Sequence, residues 1–175
     1  MKILDQSIHS KHSFVMLIGL SGSGKTSWVR ELGVGPNEIY LNADSMRAIL
    51  GSGEGDQTVN KQVFSTLKTM FKYSLFVGHS IILDNTNLTR ETRKDWIKMA
   101  KDAGYEITAI VFDVPLEQCL ENIGKRIKNN GLHVPKEIVE KQFQKFQVPD
   151  LSEGFDFIDY LDNTGNFIDL EDAEK

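Results

Sequence analysis

The sequence has little of several features that would place a chain in a membrane or in an oxidising compartment. No apolar run among its 175 residues approaches the roughly 20 that a membrane-spanning helix needs. Cys119 is the single cysteine, so an internal disulfide is excluded. Residues 1–13 lack the basic start and apolar stretch of a secretory signal. Together these absences predict a protein of the reducing cytoplasm with no membrane contact.

An excess of positive charge is also missing. The chain has 20 Lys and Arg against 25 Asp and Glu, for a net charge of -5 and a pI near 5.4. Proteins that coat a duplex carry a broad basic field, so any contact of this chain with nucleic acid must be local. The apolar fraction of 40% is ordinary for a globular protein. Length and composition predict a single domain over residues 1–175.

Short apolar runs alternate with helical patterns along the whole chain. The runs are typical of strands that are buried on both faces of a parallel sheet, and the apolar positions between them recur every three or four residues. This alternation predicts an α/β fold: a parallel sheet of about five strands in a three-layer arrangement with helices on both faces. Ligands then gather where the strands end. The predicted strands are 14–18, 39–41, 81–83, 107–112 and 155–161.

A glycine-rich segment between the first strand and a helix carries the strongest chemical signal. Gly19-Leu20-Ser21-Gly22-Ser23-Gly24-Lys25-Thr26 has the spacing of a P-loop, in which backbone N–H groups surround phosphate oxygens. Lys25 then reaches the β- and γ-phosphates, and the Thr26 hydroxyl ligates Mg²⁺. The alternative is a chance Gly/Ser loop. The predicted ATP-binding residues are Ser21, Gly22, Ser23, Gly24, Lys25, Thr26 and Ser27, with ATP and Mg²⁺ as cofactors.

The second predicted strand leads directly into an acidic and a basic residue. Asp44 and Arg47 lie three residues apart at the start of a short helix, on one face and near the phosphates. Asp44 could accept a hydroxyl proton as a general base, while Arg47 could bind a phosphate bidentately. The alternative is structural, because Asp is favoured as a helix N-cap and Asp44 precedes Ser45 to Leu50.

Polar residues also follow the third predicted strand. Asp84, Asn85, Thr86 and Asn87 stand at the edge where the ligand must lie. A carboxylate at this point usually contacts the Mg²⁺ shell, and the amides and hydroxyl can bind an acceptor substrate. The alternative is a turn whose side chains bond their own backbone.

A basic segment ends the helical pattern that starts at Leu116. Arg126 is the candidate for a cation that covers the γ-phosphate from a mobile lid, predicted over about residues 116–147. The alternative is a solvated basic helix end, which the helix dipole favours in any case. The stretches 51–57 and 124–131 are predicted as loops, and His133 and Cys119 as structural residues.

Together these segments resemble the 5'-hydroxyl polynucleotide kinase module of phage and bacterial end-healing enzymes. The resemblance runs from about Phe14 to Leu161 and implies a P-loop NTPase fold with a helical lid. It identifies Asp44 as the general base toward a 5'-hydroxyl, with Arg47 beside it, and Arg126 as the essential lid arginine. The implied reaction transfers the γ-phosphoryl group of ATP to a DNA or RNA end, with Lys25 among the catalytic residues.

The chain also departs from that family. Family lids often carry a second arginine one turn before the essential one, and Asn122 stands there in this chain. Asn122 lacks the charge with which an arginine binds phosphate. The phosphatase element of many relatives is missing, so a separate phosphatase or ligase partner is expected. Two other functions stay open: a kinase of small alcohols such as sugars or nucleosides, and a non-catalytic ATP-driven switch. The nucleic-acid type and the oligomeric state also stay open.

Overall fold

The protein is described by a computed structural model that covers residues 12–128 and 133–168. Within this part, the sheet has the order β2-β3-β1-β4-β5-β6. The first five of these strands are parallel, and β6 is antiparallel to β5. The bounds are β1 Ser13–Ile18, β2 Glu38–Asn42, β3 Ser80–Asp84, β4 Glu106–Phe112, β5 Phe157–Leu161 and β6 Phe167–Ile168. The predicted α/β fold is confirmed, and β6 is an added edge strand, two residues long, that periodicity could not indicate.

Helices connect the parallel strands and cover both faces of the sheet. Their bounds are α1 Lys25–Leu32, α2 Ala43–Leu50, α3 Asn60–Val77, α4 Arg90–Asp102, α5 Leu116–Lys128 and α6 Lys136–Lys145. Short 3₁₀ turns lie at Gln57–Val59 and Leu151–Glu153. The prediction of a loop at 124–131 is wrong for residues 124–128, because α5 continues to Lys128. Residues 129–132 lie outside the described residues.

Strand β1 shows why the core divides into two layers. Successive side chains of a strand point to opposite faces, so Phe14 and Met16 join one buried cluster with α3 and α4. Val15 and Leu17 join the other cluster, which contains residues of α1, α5 and α6. Cys119 is buried in that second cluster, where burial raises the pKa of its thiol to about 11. The thiol therefore packs as a neutral side chain.

The parallel order brings the functional segments to one edge of the sheet. The carboxyl ends of β1, β2 and β3, which are neighbours in the sheet, lead respectively into the glycine-rich loop, helix α2 and the loop after Asp84. The ligand edge predicted from the strand pattern is thus a single continuous rim. Across the described residues, none of the helices combines the length and apolarity that a membrane span requires.

Candidate active site

The loop after β1 has the backbone geometry of an anion site. Gly22 and Gly24 have φ values of 85° and 98°, in the left-handed region that glycine adopts without steric cost. A Cβ atom at Gly22 would lie 2.4 Å from the carbonyl oxygen of Cys119 in α5. Gly24 is the N-cap of α1, so the loop delivers its N–H groups at the positive end of a helix. These residues fit a bound phosphate group.

Lys25 lies buried inside that loop. Its ammonium group donates to the carbonyl oxygens of Gly19 (2.9 Å) and Leu20 (2.7 Å) and to Ser23 Oγ (3.2 Å). Burial lowers the pKa of Lys25, although the nearby charges of Asp84 and Asp44 oppose that change. A phosphate would supply a stronger partner for this ammonium group than the neutral oxygens that now hold it.

Asp84, at the end of β3, accepts hydrogen bonds from side chains of the neighbouring strand β2 and of helix α1. Its Oδ2 accepts hydrogen bonds from Thr26 Oγ1 (2.7 Å), Tyr40 OH (2.5 Å) and Asn42 Nδ2 (2.9 Å). The residue is only 3% exposed. The structure therefore joins two predicted site residues, Asp84 and Thr26, by a direct contact.

The Thr26 and Asp84 oxygens suit a Mg²⁺ ion that is also bound by substrate phosphates. No cluster of three or more His, Cys, Asp or Glu side chains able to hold a metal occurs among the described residues. Mg²⁺ is usually held by one or two protein groups together with substrate phosphates and water, rather than by an all-protein cage. The Thr26 hydroxyl and the Asp84 carboxylate meet that requirement when phosphates occupy the neighbouring loop.

Helix α2 is capped by Asn42, whose side-chain oxygen accepts from the backbone N–H of Ser45 at 2.7 Å. The alternative that Asp44 merely caps this helix is therefore wrong. Asp44 lies within the first turn, where its carboxylate is free to pair with the Arg47 guanidinium through Oδ1. The two side chains share one face of the helix, as the three-residue spacing predicted, and the ion pair between them is an addition to that prediction.

Arg47 is held from a second side as well. The residue is buried, and its Nε donates to Asn60 Oδ1 at the start of α3, over 2.8 Å. Burial raises the pKa of Asp44; the Arg47 charge opposes this, while Asp84 and Glu54 add to it. A carboxylate with a raised pKa binds a proton more readily, which is the property that a general base needs.

One cavity of about 530 Å³ connects these groups. The predicted residues that line it are Ser21, Gly22, Gly24, Lys25, Thr26, Asp44, Arg47, Asp84, Asn85, Thr86 and Arg126. Three predicted residues do not line it. Ser23 is buried and accepts from the Lys25 ammonium group, Ser27 is exposed on α1, and Asn87 instead donates to the Leu17 carbonyl oxygen over 2.8 Å.

Several lining residues were not predicted from the sequence. Glu54 lines the cavity close to Asp44, Phe64 lines it from α3, and Ile138 and Gln142 line it from α6. His133, which the sequence indicated as structural, is exposed and also lines the cavity. No local pattern marks these positions, since each reaches the cavity through the packing of distant elements.

Comparison with known proteins is consistent with this geometry. A family model described as an AAA domain matches residues 14–149. The chain belongs to this P-loop family. A protein of Autographa californica nuclear polyhedrosis virus, provisionally named a bifunctional polynucleotide kinase/RNA ligase, is 30% identical over 149 residues, covering 78% of this chain and 21% of that protein. The L-seryl-tRNA(Sec) kinase of Methanococcus maripaludis is 27% identical over 163 residues, covering 90% of this chain and 62% of that kinase.

A solved structure shows the same fold. A chain of the Pnkp1/Rnl/Hen1 RNA repair complex superposes with a TM-score of 0.68 at 22% identity, covering 81% of this chain and 46% of that one. This chain therefore spans less than two thirds of the length of these relatives. The resemblance to P-loop kinases that include polynucleotide kinases is confirmed.

In this member of the AAA-domain family, α5 and α6 both bind the P-loop through side-chain amides. Asn122 Nδ2 donates to the Gly22 carbonyl oxygen at 3.0 Å. Gln142 Oε1 accepts from the Ser21 N–H at 2.9 Å, and its Nε2 donates to Ser21 Oγ at 3.1 Å. Asn122 thus attaches α5, the helix that carries Arg126, to the phosphate loop.

A buried ion pair supports the loop after β3 from behind. Arg93 is fully buried and donates to both carboxylate oxygens of Glu153, each at 2.7 Å. Its NH1 also donates to the carbonyl oxygens of Asn87 (3.1 Å) and Gln147 (3.0 Å). The pair connects α4, the 3₁₀ turn at Leu151–Glu153 and the loop that follows Asp84. It stabilises the rim of the cavity without lining it.

Proposed function

We propose that this chain transfers the γ-phosphoryl group of ATP to the 5'-hydroxyl of a nucleic-acid end. The observation that carries the proposal is the Asp44 and Arg47 pair, which lines the same cavity as Lys25, Thr26 and Asp84. A nucleotide-binding module alone has no need of a base and a phosphate-binding cation beside its P-loop. The non-catalytic switch is for this reason the weaker alternative.

Each group has a definite part in the reaction. Asp44 accepts the proton of the 5'-hydroxyl as its oxygen bonds to the γ-phosphorus, and the bond from that phosphorus to the bridging oxygen of ADP breaks. Asp44 then releases the proton to solvent. Arg47 binds the phosphate that adjoins the acceptor sugar, and Lys25 binds the phosphates of the donor. Thr26 and Asp84 would hold Mg²⁺ beside these phosphates, where the ion would neutralise part of their charge.

Arg126 adds the remaining cation. It lines the cavity from α5, and its charge contributes to the lowered pKa of Lys25. We place it over the γ-phosphoryl group as a transition-state cation carried by a lid of residues 116–147. The anchoring of α5 by Asn122 supports this position, since Arg126 lies one helical turn further along.

The wider setting of the activity belongs to the same proposal. We treat residues 1–175 as one kinase domain that acts together with a phosphatase or ligase. The provisional name of the viral relative combines kinase and ligase, and the matched region covers only 21% of that protein. Such a pairing would join nucleic-acid ends that this chain has phosphorylated.

A kinase of a small alcohol is the second candidate, and Glu54 favours it. This carboxylate lines the acceptor side of the cavity and contributes to the raised pKa of Asp44, so it is close to the base. A negative charge there repels a polyanionic acceptor, whereas a neutral alcohol is unaffected. The cations Arg47 and Arg126 offset that repulsion on the same walls.

One experiment separates the two candidates. The protein is incubated with γ-labelled ATP and, in parallel, with 5'-OH DNA, 5'-OH RNA and a panel of sugars and nucleosides. We expect label at the 5' end of an oligonucleotide and none in a folded Lys25→Ala variant. Transfer to a small alcohol but to no oligonucleotide would establish the second candidate instead.

A further inference from the structure

The register of β2 and β3 gives Tyr40 a place that the sequence did not indicate. Tyr40 is opposite Ile82, and Asn42 is opposite Asp84. Residues two apart in a strand share a face, so Tyr40 and Asn42 extend toward the same side of the sheet. Ile82 belongs to the buried cluster on that side, against which Tyr40 packs. The Tyr40 phenol therefore reaches Asp84 from the strand next to it.

The hydrogen bonds to the Asp84 carboxylate are distributed unequally. Among the described residues, they all end on Oδ2, with donors from Thr26, Tyr40 and Asn42. A carboxylate oxygen with this many donors has no lone pair left for a direct metal bond. Oδ1 keeps its lone pairs for a water of the Mg²⁺ shell.

The Thr26 hydroxyl is oriented by the same oxygen. Its proton is donated to Asp84 Oδ2 over 2.7 Å, so the lone pairs of Thr26 Oγ1 are directed elsewhere and are available to a cation. Such an arrangement works only while the Asp84 carboxylate keeps one rotamer. If the carboxylate turned away from Thr26 or were removed, the Thr26 hydroxyl would be able to rotate.

We propose that Tyr40 is a positioning residue of the Mg²⁺·ATP site, which acts through Asp84 and not by contact with the ligand. Its phenol donates to Asp84 Oδ2 at 2.5 Å and fixes the carboxylate that orders Thr26. Asn42 makes a neighbouring contact but also caps α2, and Thr26 belongs to the phosphate loop, so Tyr40 is the member of the set that tests the support of Asp84 most directly.

The inference rests on the ATP and Mg²⁺ part of the proposed function and is independent of the acceptor. The measured quantity is the ratio of the dissociation constants of a fluorescent ATP analogue without and with Mg²⁺. We expect Tyr40→Phe to lower this ratio by about 10-fold, the usual effect of losing a group that orients a metal ligand. Affinity without Mg²⁺ should stay unchanged. Tyr73→Phe, in a residue 66% exposed on α3, is the matched control and should leave both values unchanged.

A double-mutant cycle tests whether Tyr40 acts through Asp84. Asp84→Asn should lower the ratio at least as much, and Tyr40→Phe in that background should have no further effect. An unchanged ratio in Tyr40→Phe, or an equal effect of Tyr40→Phe with and without Asp84, would overturn the proposal. So would a normal ratio in Asp84→Asn, even if Tyr40→Phe did not fold. A wild-type protein that fails to label any oligonucleotide would refute the proposed acceptor and leave this inference standing.

Discussion

Replacement of Asp44 by Asn separates the chemistry of the site from its structure. Asn42, not Asp44, caps α2, so the substitution leaves the helix N-terminus intact. The change removes the negative charge that pairs with Arg47. The Asp44 side chain is 45% exposed. Asn keeps a side-chain oxygen that can accept from the Arg47 guanidinium, so only the charge of the pair is lost, at a cost of about 1 kcal/mol. Arg47 also keeps its bond to Asn60, and we expect the melting temperature to fall by about 4 °C at most.

The effect on catalysis should be far larger. An amide cannot take up the 5'-hydroxyl proton, and loss of a positioned base lowers the rate by about 10²- to 10⁴-fold. Single-turnover transfer from γ-labelled ATP to a 5'-OH oligonucleotide measures this directly, with binding of a fluorescent ATP analogue measured beside it. Asp95→Asn is the matched control, because Asp95 pairs with Lys68 on the exposed surface. Transfer by Asp44→Asn within threefold of wild type, at unchanged ATP affinity, would refute the base assignment.

Three further changes test the remaining groups. Arg126→Ala should lower kcat by about 10³-fold with a smaller effect on ATP affinity, because a transition-state cation is lost. Arg47→Gln should move the acid limb of the pH profile of kcat/KM to higher pH: the Arg47 charge lowers the pKa of Asp44, and a base is inactive below its pKa. Glu153→Ala should lower the melting temperature by about 6–20 °C, since a buried Arg93 without its partner costs about 3–5 kcal/mol.

Each of these three has a result that would contradict it. If Arg126→Ala weakens ATP binding and leaves kcat unchanged, Arg126 contacts bound ATP in the ground state and does not stabilise the transition state. An acid limb that stays in place or moves to lower pH in Arg47→Gln would show that Asp44 is not the group that titrates. For Glu153, the control is Asp102→Ala, which breaks the exposed pair with Lys98. Equal melting temperatures of the two variants would mean that the Arg93 pair adds no stability.

The outcome for helix α2 shows where local rules stop. Asn and Asp are both favoured N-caps, and the sequence Asn42-Ala43-Asp44 offers either one. The strand decides between them: the pairing of β2 with β3 ends at Asn42, so the helix begins at the next residue, Ala43, and Asp44 falls inside its first turn. The sequence predicted that a helix begins near these residues. Which residue caps it depended on the pairing of β2 with β3, which the sequence does not display.

The sequence by itself determined the phosphate loop and the order of the strands and helices. A P-loop is a contiguous segment whose glycines and lysine act on neighbouring backbone, and buried strands are marked by their own apolar residues. Tertiary structure alone decided the contacts of Tyr40 with Asp84, 44 residues apart, and of Gln142 with Ser21, 121 residues apart. Such contacts depend on which strands are neighbours and how the helices pack, and neither of these leaves a periodic signal in the chain.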